Sequence, residues 1–240
     1  MTEWFEQWFG EEYLKLYPHR DEEDAARVVA LMARHTGLTD RRVLDLACGP
    51  GRHLEQLRLV GAHAVGFDLS MPLLSRARHR GSATLPVVRG DMRYLPFGAG
   101  SFDVVVNLFT SFGYFADDAQ HMAVVREVAA VLRSGGVFVL DYFNAHYVLT
   151  ALVAREERAI GSQHVVIERR ISEDRRFVVK EMHLMDDGRR FVERVRLFTP
   201  AELEHLIDGA GLRIRHRFGD YEGRSADNGS PRVLLFSERP

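Results

Sequence analysis

The chain has 240 residues, with 32 Lys and Arg against 34 Asp and Glu and a net charge of −2. This balance gives no general attraction to nucleic acid or to an anionic membrane, and no apolar run approaches the length that crosses a bilayer. The single cysteine, Cys48, excludes an internal disulfide framework, and the N-terminus lacks a signal-peptide pattern. We therefore expect a cytoplasmic protein with one α/β domain plus an insertion.

The N-terminal segment predicts two helices separated by Tyr17-Pro18-His19, the second running from Glu22 to His35 with Asp21 as its N-cap. The first helix carries aromatic residues at helical spacing: Trp4, Phe5, Trp8, Phe9 and Tyr13. This stripe fits packing on the protein body, an aromatic wall over a binding site, or a membrane-surface helix. Its polar face is glutamate-rich rather than lysine-rich, which argues against the membrane interpretation.

A strand-like run leads into a small-residue loop, from Asp45 through Gly49 and Gly51, and then into an amphipathic helix. Such a loop lets a ligand approach the backbone beside a helix N-terminus. Asp68 ends the next strand-like run, where a carboxylate can accept hydrogen bonds from a ribose. The third glycine of a dinucleotide motif is missing, since Leu54 follows the loop. Asp45 would repel a pyrophosphate but suits an amino group and a sulfonium cation, so the segment predicts a cofactor of the adenosine type.

Further strands and helices alternate as far as Asp141, which predicts a parallel sheet wrapped by helices. The segments that carry this pattern are Gly90-Asp91-Met92 after an apolar run, the strand from Ser101 to Asn107, and the turn and strand from Leu132 to Asp141.

After Asp141 the period changes to two residues, which is typical of half-buried antiparallel strands. Three strands are predicted, at 164–171, 176–185 and 189–198. Arginine pairs along them are interleaved with acidic residues, so a solvated mixed-charge face fits better than a nucleic-acid surface. A helix beginning at Thr199 and two final strands, at 212–218 and 232–237, follow.

The motifs between residues 40 and 142 resemble, in order and approximate spacing, those of class I S-adenosylmethionine (SAM)-dependent methyltransferases, with Ala47 where the family more often has glycine. The resemblance implies a Rossmann-like α/β fold with a seven-stranded, mostly parallel sheet, helices on both faces and a small antiparallel β insert as a lid. We expect an N-terminal helical lid (1–36), a SAM-binding core (37–145 and 199–240) and an insert over the acceptor pocket (146–198).

The resemblance also implies how the cofactor would be held. Asp45 and Gly49 would bind the methionine amino end, Asp68 the ribose, and Asp91 and Met92 the adenine. In related small-molecule methyltransferases, including sugar N-methyltransferases, a tyrosine and a basic residue near the N-terminus reach the cofactor carboxylate. The remaining cofactor-binding candidates are therefore Tyr17, Arg20, Ala47, Gly51, His53, Leu69, Met71, Gly90, Asn107 and Leu108. Arg20 could instead pair with nearby acidic residues.

The acceptor would meet residues at the mouths of the fourth and fifth strands. Candidate catalytic residues are Asp141, Tyr114 and His146, and candidate substrate-binding residues are Thr110, Ser111, Tyr142, Asn144 and Tyr221. Each could also serve only as a hydrogen-bonding group within a loop. No cluster has metal-ligand spacing, so we expect no metal.

The predicted function is transfer of a methyl group from SAM to a nitrogen or oxygen of a small molecule, with S-adenosylhomocysteine (SAH) as the product. Two alternatives stay open. A tRNA or protein methyltransferase would need a basic or extended acceptor surface, and a regulatory SAM-binding module would need no catalytic groups.

Overall fold

The described part of the protein consists of helices and strands that alternate along much of the chain. A computed structural model describes residues 3–17, 22–81, 84–161 and 163–240. The helices are α1 (Trp4–Trp8), α2 (Glu11–Leu16), α3 (Glu22–Thr36), α4 (Arg52–Leu59), α5 (Met71–Arg78), α6 (Asp118–Val131), α7 (Ala145–Ala151) and α8 (Pro200–Gly209). The strands are β1 (Arg42–Leu46), β2 (His63–Asp68), β3 (Val87–Arg89), β4 (Phe102–Asn107), β5 (Leu132–Phe143), β6 (Arg155–Ile160), β7 (Gln163–Ile171), β8 (Phe177–Leu184), β9 (Arg190–Arg196), β10 (Arg213–Phe218) and β11 (Arg232–Glu238).

Seven strands form one sheet in the order β10-β11-β5-β4-β1-β2-β3. The pairs among β1 to β5 are parallel, and β11 runs antiparallel to both of its neighbours. The chain therefore winds outward from β1 in two directions, first to β2 and β3 and then to β4 and β5. The loops after β1 and β4 diverge at this reversal, which opens a crevice at the carboxyl ends of the strands. The predicted Rossmann-like fold is confirmed.

Both faces of the sheet are buried because neighbouring strand residues point to opposite sides. Val43 and Val104 pack with α3 and α4 on one face. Leu44 and Val105 pack with α6 and α8 on the other. Since burial on both faces calls for continuous apolar runs, these strands show no polar alternation.

The insert is a separate antiparallel sheet in the order β6-β7-β8-β9. It has four strands rather than the three expected, and α7 precedes it. The additional strand, β6, has the sequence Arg-Glu-Glu-Arg-Ala-Ile and lies at a sheet edge, where it is largely exposed. An exposed edge strand tolerates charged residues on both sides, so β6 lacks the two-residue apolar period that identified the other three strands.

The aromatic N-terminal segment forms two short helices instead of one, because α1 ends at Trp8 and Gly10 is the N-cap of α2. The predicted N-cap Asp21 lies outside the described residues, while α3 follows its predicted span closely. Trp8 and Tyr13 pack against Ile167 and Met182 of the insert sheet. Within the described ranges, no helix is long and apolar enough to span a membrane.

Candidate active site

A cavity of about 520 Å³ lies at the carboxyl ends of β1, β2 and β4. Its floor comes from the loops after those strands and after β3, and its roof comes from α1 and α2. It is lined by Phe5, Glu6, Phe9, Gly10, Tyr13, Ala47, Gly49, Phe67, Asp68, Leu69, Ser70, Met71, Pro72, Leu73, Arg89, Gly90, Asp91, Met92, Ser111, Tyr114 and Phe115. The cavity thus occupies the crevice that the sheet topology creates.

Asp68 organises the loop between β1 and α4. Its Oδ2 accepts a hydrogen bond of 2.9 Å from the Gly49 backbone N–H, and its Oδ1 accepts one of 2.8 Å from the Ser70 N–H. Burial raises the pKa of Asp68, although these backbone donors oppose the rise. Each carboxylate oxygen can accept a second hydrogen bond, so Asp68 can hold a hydroxyl in the cavity and the loop at the same time.

The loop itself is in an unusual conformation. Gly49 has φ of 55° and Ala47 has φ of 59°, both in the left-handed region. This region costs a residue with a Cβ more than it costs glycine, so Ala47 carries a conformational penalty that glycine would avoid. The loop is held in place despite this by Asp68.

Asp45 lies beneath the loop and is 1% exposed. Burial, reinforced by the negative charge of Asp68, raises its pKa to about 7, while the nearby Arg52 guanidinium lowers it. Its Oδ2 is buried and has no hydrogen-bond partner within the described residues. An unsatisfied buried carboxylate oxygen is costly, and a cationic or hydrogen-bond-donating ligand group would satisfy it.

The opposite end of the cavity is formed by Gly90, Asp91 and Met92. Arg93 forms a forked ion pair with Asp91, with its Nε 3.0 Å from both carboxylate oxygens. Burial raises the pKa of Asp91, but the hydrogen bonds and charge of Arg93 outweigh this and leave the pKa below its ordinary value. Asp91 is therefore ionised and can accept a hydrogen bond from a ligand amino group.

Glycine is required at position 90 because there is no room for a side chain beside the Phe67 ring. A Cβ at this position would lie 2.5 Å from Cζ of Phe67, which is itself buried and lines the cavity. Any side chain here would displace the Phe67 ring, so glycine sets the width of this end of the cavity.

The roof is an aromatic wall that sequence reasoning identified only as one of several possibilities. Phe5 of α1, Phe9 directly after α1 and Tyr13 of α2 face the cavity. The Ser70 hydroxyl donates to the Phe9 carbonyl, which joins the roof to the N-terminus of α5. Glu6 adds an exposed carboxylate to this wall.

Ser111 and Tyr114 enter the cavity from the loop that follows β4. The Tyr114 ring contacts Trp4, with centroids 5.2 Å apart, and Phe9, at 5.4 Å. Trp4 Nε1 also donates to the Tyr114 carbonyl over 3.2 Å. The N-terminal helices therefore fix the position of Tyr114 as well as covering the cavity.

Ten of the predicted site residues line this cavity: Ala47, Gly49, Asp68, Leu69, Met71, Gly90, Asp91, Met92, Ser111 and Tyr114. Another ten lie outside its lining: Asp45, Gly51, His53, Asn107, Leu108, Thr110, Asp141, Tyr142, Asn144 and Tyr221. The Asn107 amide, for example, donates to the Leu46 carbonyl over 3.0 Å and supports the floor.

Asp141 and Tyr142, for which an acceptor role is expected, lie near the carboxyl end of β5 and outside the lining of this cavity. Asp141 is fully buried, and its carboxylate accepts hydrogen bonds from Arg232, Tyr221 and the Phe109 N–H. The Tyr142 hydroxyl, also fully buried, donates to the Arg196 carbonyl. These side chains use their polar groups within the chain, so they do not face the cavity.

Two other predicted acceptor residues, Asn144 and Thr110, also use their polar groups within the chain, and a third, His146, is exposed. Asn144 caps α7 through the His146 N–H, and its amide donates to the carbonyls of Asp227 and Ser230. His146 is exposed in the first turn of α7 and does not line the cavity. The Thr110 hydroxyl accepts from the Phe143 N–H and from Arg232.

Tyr17 lies where α2 meets the insert sheet. Its hydroxyl is 3.4 Å from the Met182 sulfur and accepts a hydrogen bond from Lys180. Arg20, its predicted partner at the cofactor carboxylate, lies outside the described residues. No described residue of the insert lines the cavity, because α1 and α2 stand between the two. The insert therefore packs behind the roof of this cavity, and its expected place over the acceptor pocket stays a prediction.

The described residues fit a cofactor with an adenosine end and a cationic amino-acid end. Asp45 offers a buried, unpaired carboxylate oxygen near Asp68. Glycine at position 90 keeps open the space beside Asp91 and Met92. Asp68, Asp91 and Met92 line one cavity and Asp45 lies beneath its loop, so their order is compatible with the resemblance, which assigns them to ribose, adenine and methionine.

Comparisons with known proteins agree with this arrangement. A family described as "Methyltransferase domain" matches residues 43–136. A dTDP-3-amino-3,4,6-trideoxy-α-D-glucopyranose N,N-dimethyltransferase from Streptomyces venezuelae is 33% identical over 204 residues, covering 79% of this chain and 82% of that protein. A dTDP-4-amino-2,3,4,6-tetradeoxy-D-glucose N,N-dimethyltransferase from Saccharopolyspora spinosa is 32% identical over 210 residues, covering 84% and 82%.

A solved structure shows that the similarity extends to the fold. The sugar N-methyltransferase from Streptoalloteichus superposes with a TM-score of 0.71 at 27% identity, covering 96% of this chain and 93% of that one. The similarity in sequence and in fold therefore extends over most of the chain. It is not limited to the motifs of the loop between β1 and α4, which we call the cofactor loop. The chain belongs to the class I SAM-dependent methyltransferases, and its cofactor is SAM.

Proposed function

We propose that this enzyme methylates an amino group of a small molecule, and that the acceptor is an amino sugar carried on a nucleotide. The observation that carries the proposal is the cavity that joins Asp68 and Asp91 to Ser111 and Tyr114 under an aromatic roof. The names of the relatives, which act on amino sugars linked to dTDP, support the substrate class.

On the cofactor side, SAM supplies an activated methyl group bound to a sulfonium. Asp45 and Gly49 would hold its amino-acid end, Asp68 its ribose, and Asp91 and Met92 its adenine. Arg20 and Tyr17 are our candidates for the cofactor carboxylate, because the planar guanidinium of an arginine can hold both carboxylate oxygens. By holding the cofactor in this way, these residues would orient its methyl group toward the acceptor.

On the acceptor side, Ser111 and Tyr114 provide hydroxyl groups at the carboxyl end of β4. Phe5, Phe9 and Tyr13 exclude water from above. With the acceptor held against SAM in this way, the Tyr114 hydroxyl can orient the attacking nitrogen. The carboxylates of Glu6 and Asp68 make the cavity attractive to a positively charged amino group.

The lining also favours nitrogen over oxygen as the methylated atom. An amino sugar that enters as an ammonium needs only to lose one proton, to a weak base such as the Glu6 carboxylate or to water, before its nitrogen has a free electron pair, whereas a sugar hydroxyl needs a stronger base positioned beside it. Among the described residues that line the cavity there is no histidine or lysine. His146, a predicted base, is exposed outside it.

The same proposal places the enzyme in the cytoplasm without a nucleic-acid partner. Its nearly balanced charge and single cysteine support this, as do the acidic residues that pair with the arginines of the insert. Arg169 pairs with Glu156, and Arg170 and Arg190 both pair with Glu181. These arginines are thus partly neutralised by the chain itself.

The test uses two acceptors that differ in one group. The enzyme is incubated with methyl-labelled SAM and either a dTDP-3-amino-3-deoxy sugar or its 3-hydroxy counterpart, and products are identified by mass spectrometry. We expect one or two labelled methyl groups on the amino sugar and none on the hydroxy sugar. Labelling of the hydroxy sugar alone would refute nitrogen methylation.

Tyr114→Phe is the matched variant for this assay. Removing only the hydroxyl should lower kcat about tenfold to a hundredfold while leaving SAH affinity nearly unchanged. Equal loss of SAH affinity would place Tyr114 on the cofactor side instead.

A further inference from the structure

A buried polar cluster connects the end of the chain to the loop that follows β4. It consists of Asp141 at the carboxyl end of β5, Tyr221 in the β10–β11 connection, and Arg232, the first residue of β11. Asp141 Oδ2 accepts from the Tyr221 hydroxyl over 2.9 Å, and its Oδ1 accepts from Arg232 Nε. We call these three residues the hairpin cluster.

The hairpin cluster holds the start of the loop. Asp141 Oδ2 also accepts from the Phe109 N–H over 2.8 Å, and the Asp141 carbonyl accepts from the Thr110 N–H over 2.9 Å. The second arm of the Arg232 guanidinium donates to the Thr110 hydroxyl over 3.1 Å. Arg232 therefore joins Asp141 and Thr110 with one planar fork, a geometry that lysine cannot reproduce.

Phe109 and Thr110 need such support. Their φ angles are 58° and 60°, so two successive residues with side chains are in the left-handed region. Strained conformations of this kind persist only where the surrounding structure over-determines them, and they cluster at functional sites. The chain continues directly into Ser111 and Tyr114, which line the cavity.

The Phe109 ring extends this connection to the cofactor loop. The Arg52 guanidinium lies 4.1 Å from its centroid, and that of Arg232 lies 5.4 Å away. Arg52 is the first residue of α4, which begins at the cofactor loop. One ring thus contacts an arginine from the cofactor side and an arginine from the final hairpin.

We propose that Arg232 and Tyr221 are positioning residues for methyl transfer. They act through Asp141, which fixes the left-handed pair Phe109–Thr110 and thereby the direction in which Ser111 and Tyr114 enter the cavity. The inference rests on the proposed function only in taking Ser111 and Tyr114 as the acceptor side. It gives the final hairpin, which does not line the cavity, a part in setting the acceptor geometry.

The test compares Arg232→Lys and Tyr221→Phe with the wild type by hydrogen exchange of residues 108–115 in the presence of SAH. Arg232→Lys keeps the positive charge and Tyr221→Phe keeps the aromatic ring, so each variant removes only specific hydrogen bonds. We expect exchange in this segment to become about tenfold faster in Arg232→Lys, and less so in Tyr221→Phe, relative to β4. SAH affinity should stay within about twofold.

Arg239→Lys is the matched control, since Arg239 donates to the Ala130 and Leu132 carbonyls at the other end of β5. It should leave exchange in residues 108–115 unchanged. If Arg232→Lys also leaves exchange in residues 108–115 unchanged, or accelerates exchange in β4 equally, the hairpin cluster has no positioning role. Should Arg232→Lys not fold, Tyr221→Phe decides in the same way.

Kinetics with any amine acceptor that the wild type methylates provide the second readout. A positioning role predicts a fall in kcat of about tenfold at unchanged SAH affinity, whereas purely structural destabilisation lowers the active fraction without changing kcat per folded molecule. The exchange experiment needs no acceptor, so it stands even if the proposed substrate class is wrong.

Discussion

Asp45 combines burial, a neighbouring negative charge and an unpaired oxygen, and this combination has a consequence for pH. Its pKa of about 7 means that much of the ligand-free protein carries a proton there below neutral pH. In the proposed site the positive amino end of the cofactor favours the ionised carboxylate of Asp45, so we expect binding to release that proton. SAH affinity should therefore rise with pH by up to about tenfold per unit, from about pH 5.5 to about pH 7.

Calorimetric titrations with SAH across this range check the prediction. Asp45→Asn has no proton to release, so it should bind more weakly and with little pH dependence. A wild-type affinity that is constant over the range would show that Asp45 is already ionised before the cofactor binds.

Gly90 offers a second prediction at the scale of one atom. Gly90→Ala places a methyl group against the Phe67 ring, which must then move toward the cavity. We expect a loss of stability of about 1–3 kcal/mol and SAH binding weaker by about tenfold. Gly98→Ala is the control, because a Cβ there would meet its nearest neighbour, the Ser101 hydroxyl, at 3.4 Å. Equal effects of the two variants would show that position 90 does not shape the cavity.

Residues whose position in the cavity depends on the local motif were predictable, and those whose position depends on distant partners were not. Asp68 and Gly90 follow directly from strand and loop patterns. Asp141 looked like a mouth residue for the same reason, but it is buried and paired with Arg232, which lies 91 positions later. No local pattern signals that contact, so sequence reasoning assigned Asp141 a catalytic role and missed Arg232.

At the scale of elements, the roof of the cavity depends on how α1 and α2 are attached. Trp8 does not line the cavity but donates from Nε1 to Glu193 of β9 over 2.8 Å. Glu193 is in turn 3.3 Å from the Lys180 ammonium. The insert sheet therefore acts as the support for the roof.

Trp8→Phe should loosen this attachment while keeping an aromatic ring in place. A hydrogen bond to a charged group contributes about 1.5–3 kcal/mol, so we expect faster hydrogen exchange in residues 4–16 and SAH binding weaker by several-fold. Lys15→Ala, which removes only an exposed pair with Glu12, should change neither quantity. Normal exchange in Trp8→Phe would mean that the roof is held by other contacts.

The sequence predicted the presence of these elements better than their arrangement. The aromatic stripe identified a helical segment, yet Gly10 divides it, and its contacts with Tyr114 and with β9 join positions more than 100 residues apart. Periodicity reports which face of an element is buried. It does not report against what the face is packed, so the position of the insert behind the roof could not be foreseen.

At the scale of the whole molecule, His121 links stability to pH. It is fully buried among Phe112, Phe115 and Phe198, and within the described residues neither ring nitrogen has a hydrogen-bond partner at normal distance. Burial lowers its pKa from 6.5 to about 4, although the carboxylate of Asp118, 3.8 Å away, opposes this. The unfolded chain therefore takes up a proton first as the pH falls.

The stability that His121 contributes is present above about pH 6.5 and is lost as the pH falls toward 4. The shift corresponds to roughly 3 kcal/mol. Asp45 acts in the opposite direction, because its raised pKa makes stability fall as the pH rises from about 4 to about 7. The two effects overlap in the wild type, so a variant is needed to separate them.

His121→Leu supplies this comparison. Urea unfolding of the wild type and the variant at about pH 5 and about pH 7.5 should show that the variant gains stability relative to the wild type at the lower pH. Equal differences at the two pH values would mean that His121 does not titrate in this way.

The central claim is that one cavity, organised by Asp68 beneath α1 and α2, binds SAM for transfer to an acceptor beside Tyr114. Calorimetric titration of the wild type and Asp68→Asn with SAM, SAH and NAD tests it most directly. We expect saturable binding of SAM and SAH at one site, no binding of NAD, and affinity at least about tenfold weaker in Asp68→Asn. Binding of NAD alone, or unchanged SAH affinity in the variant, would contradict the claim.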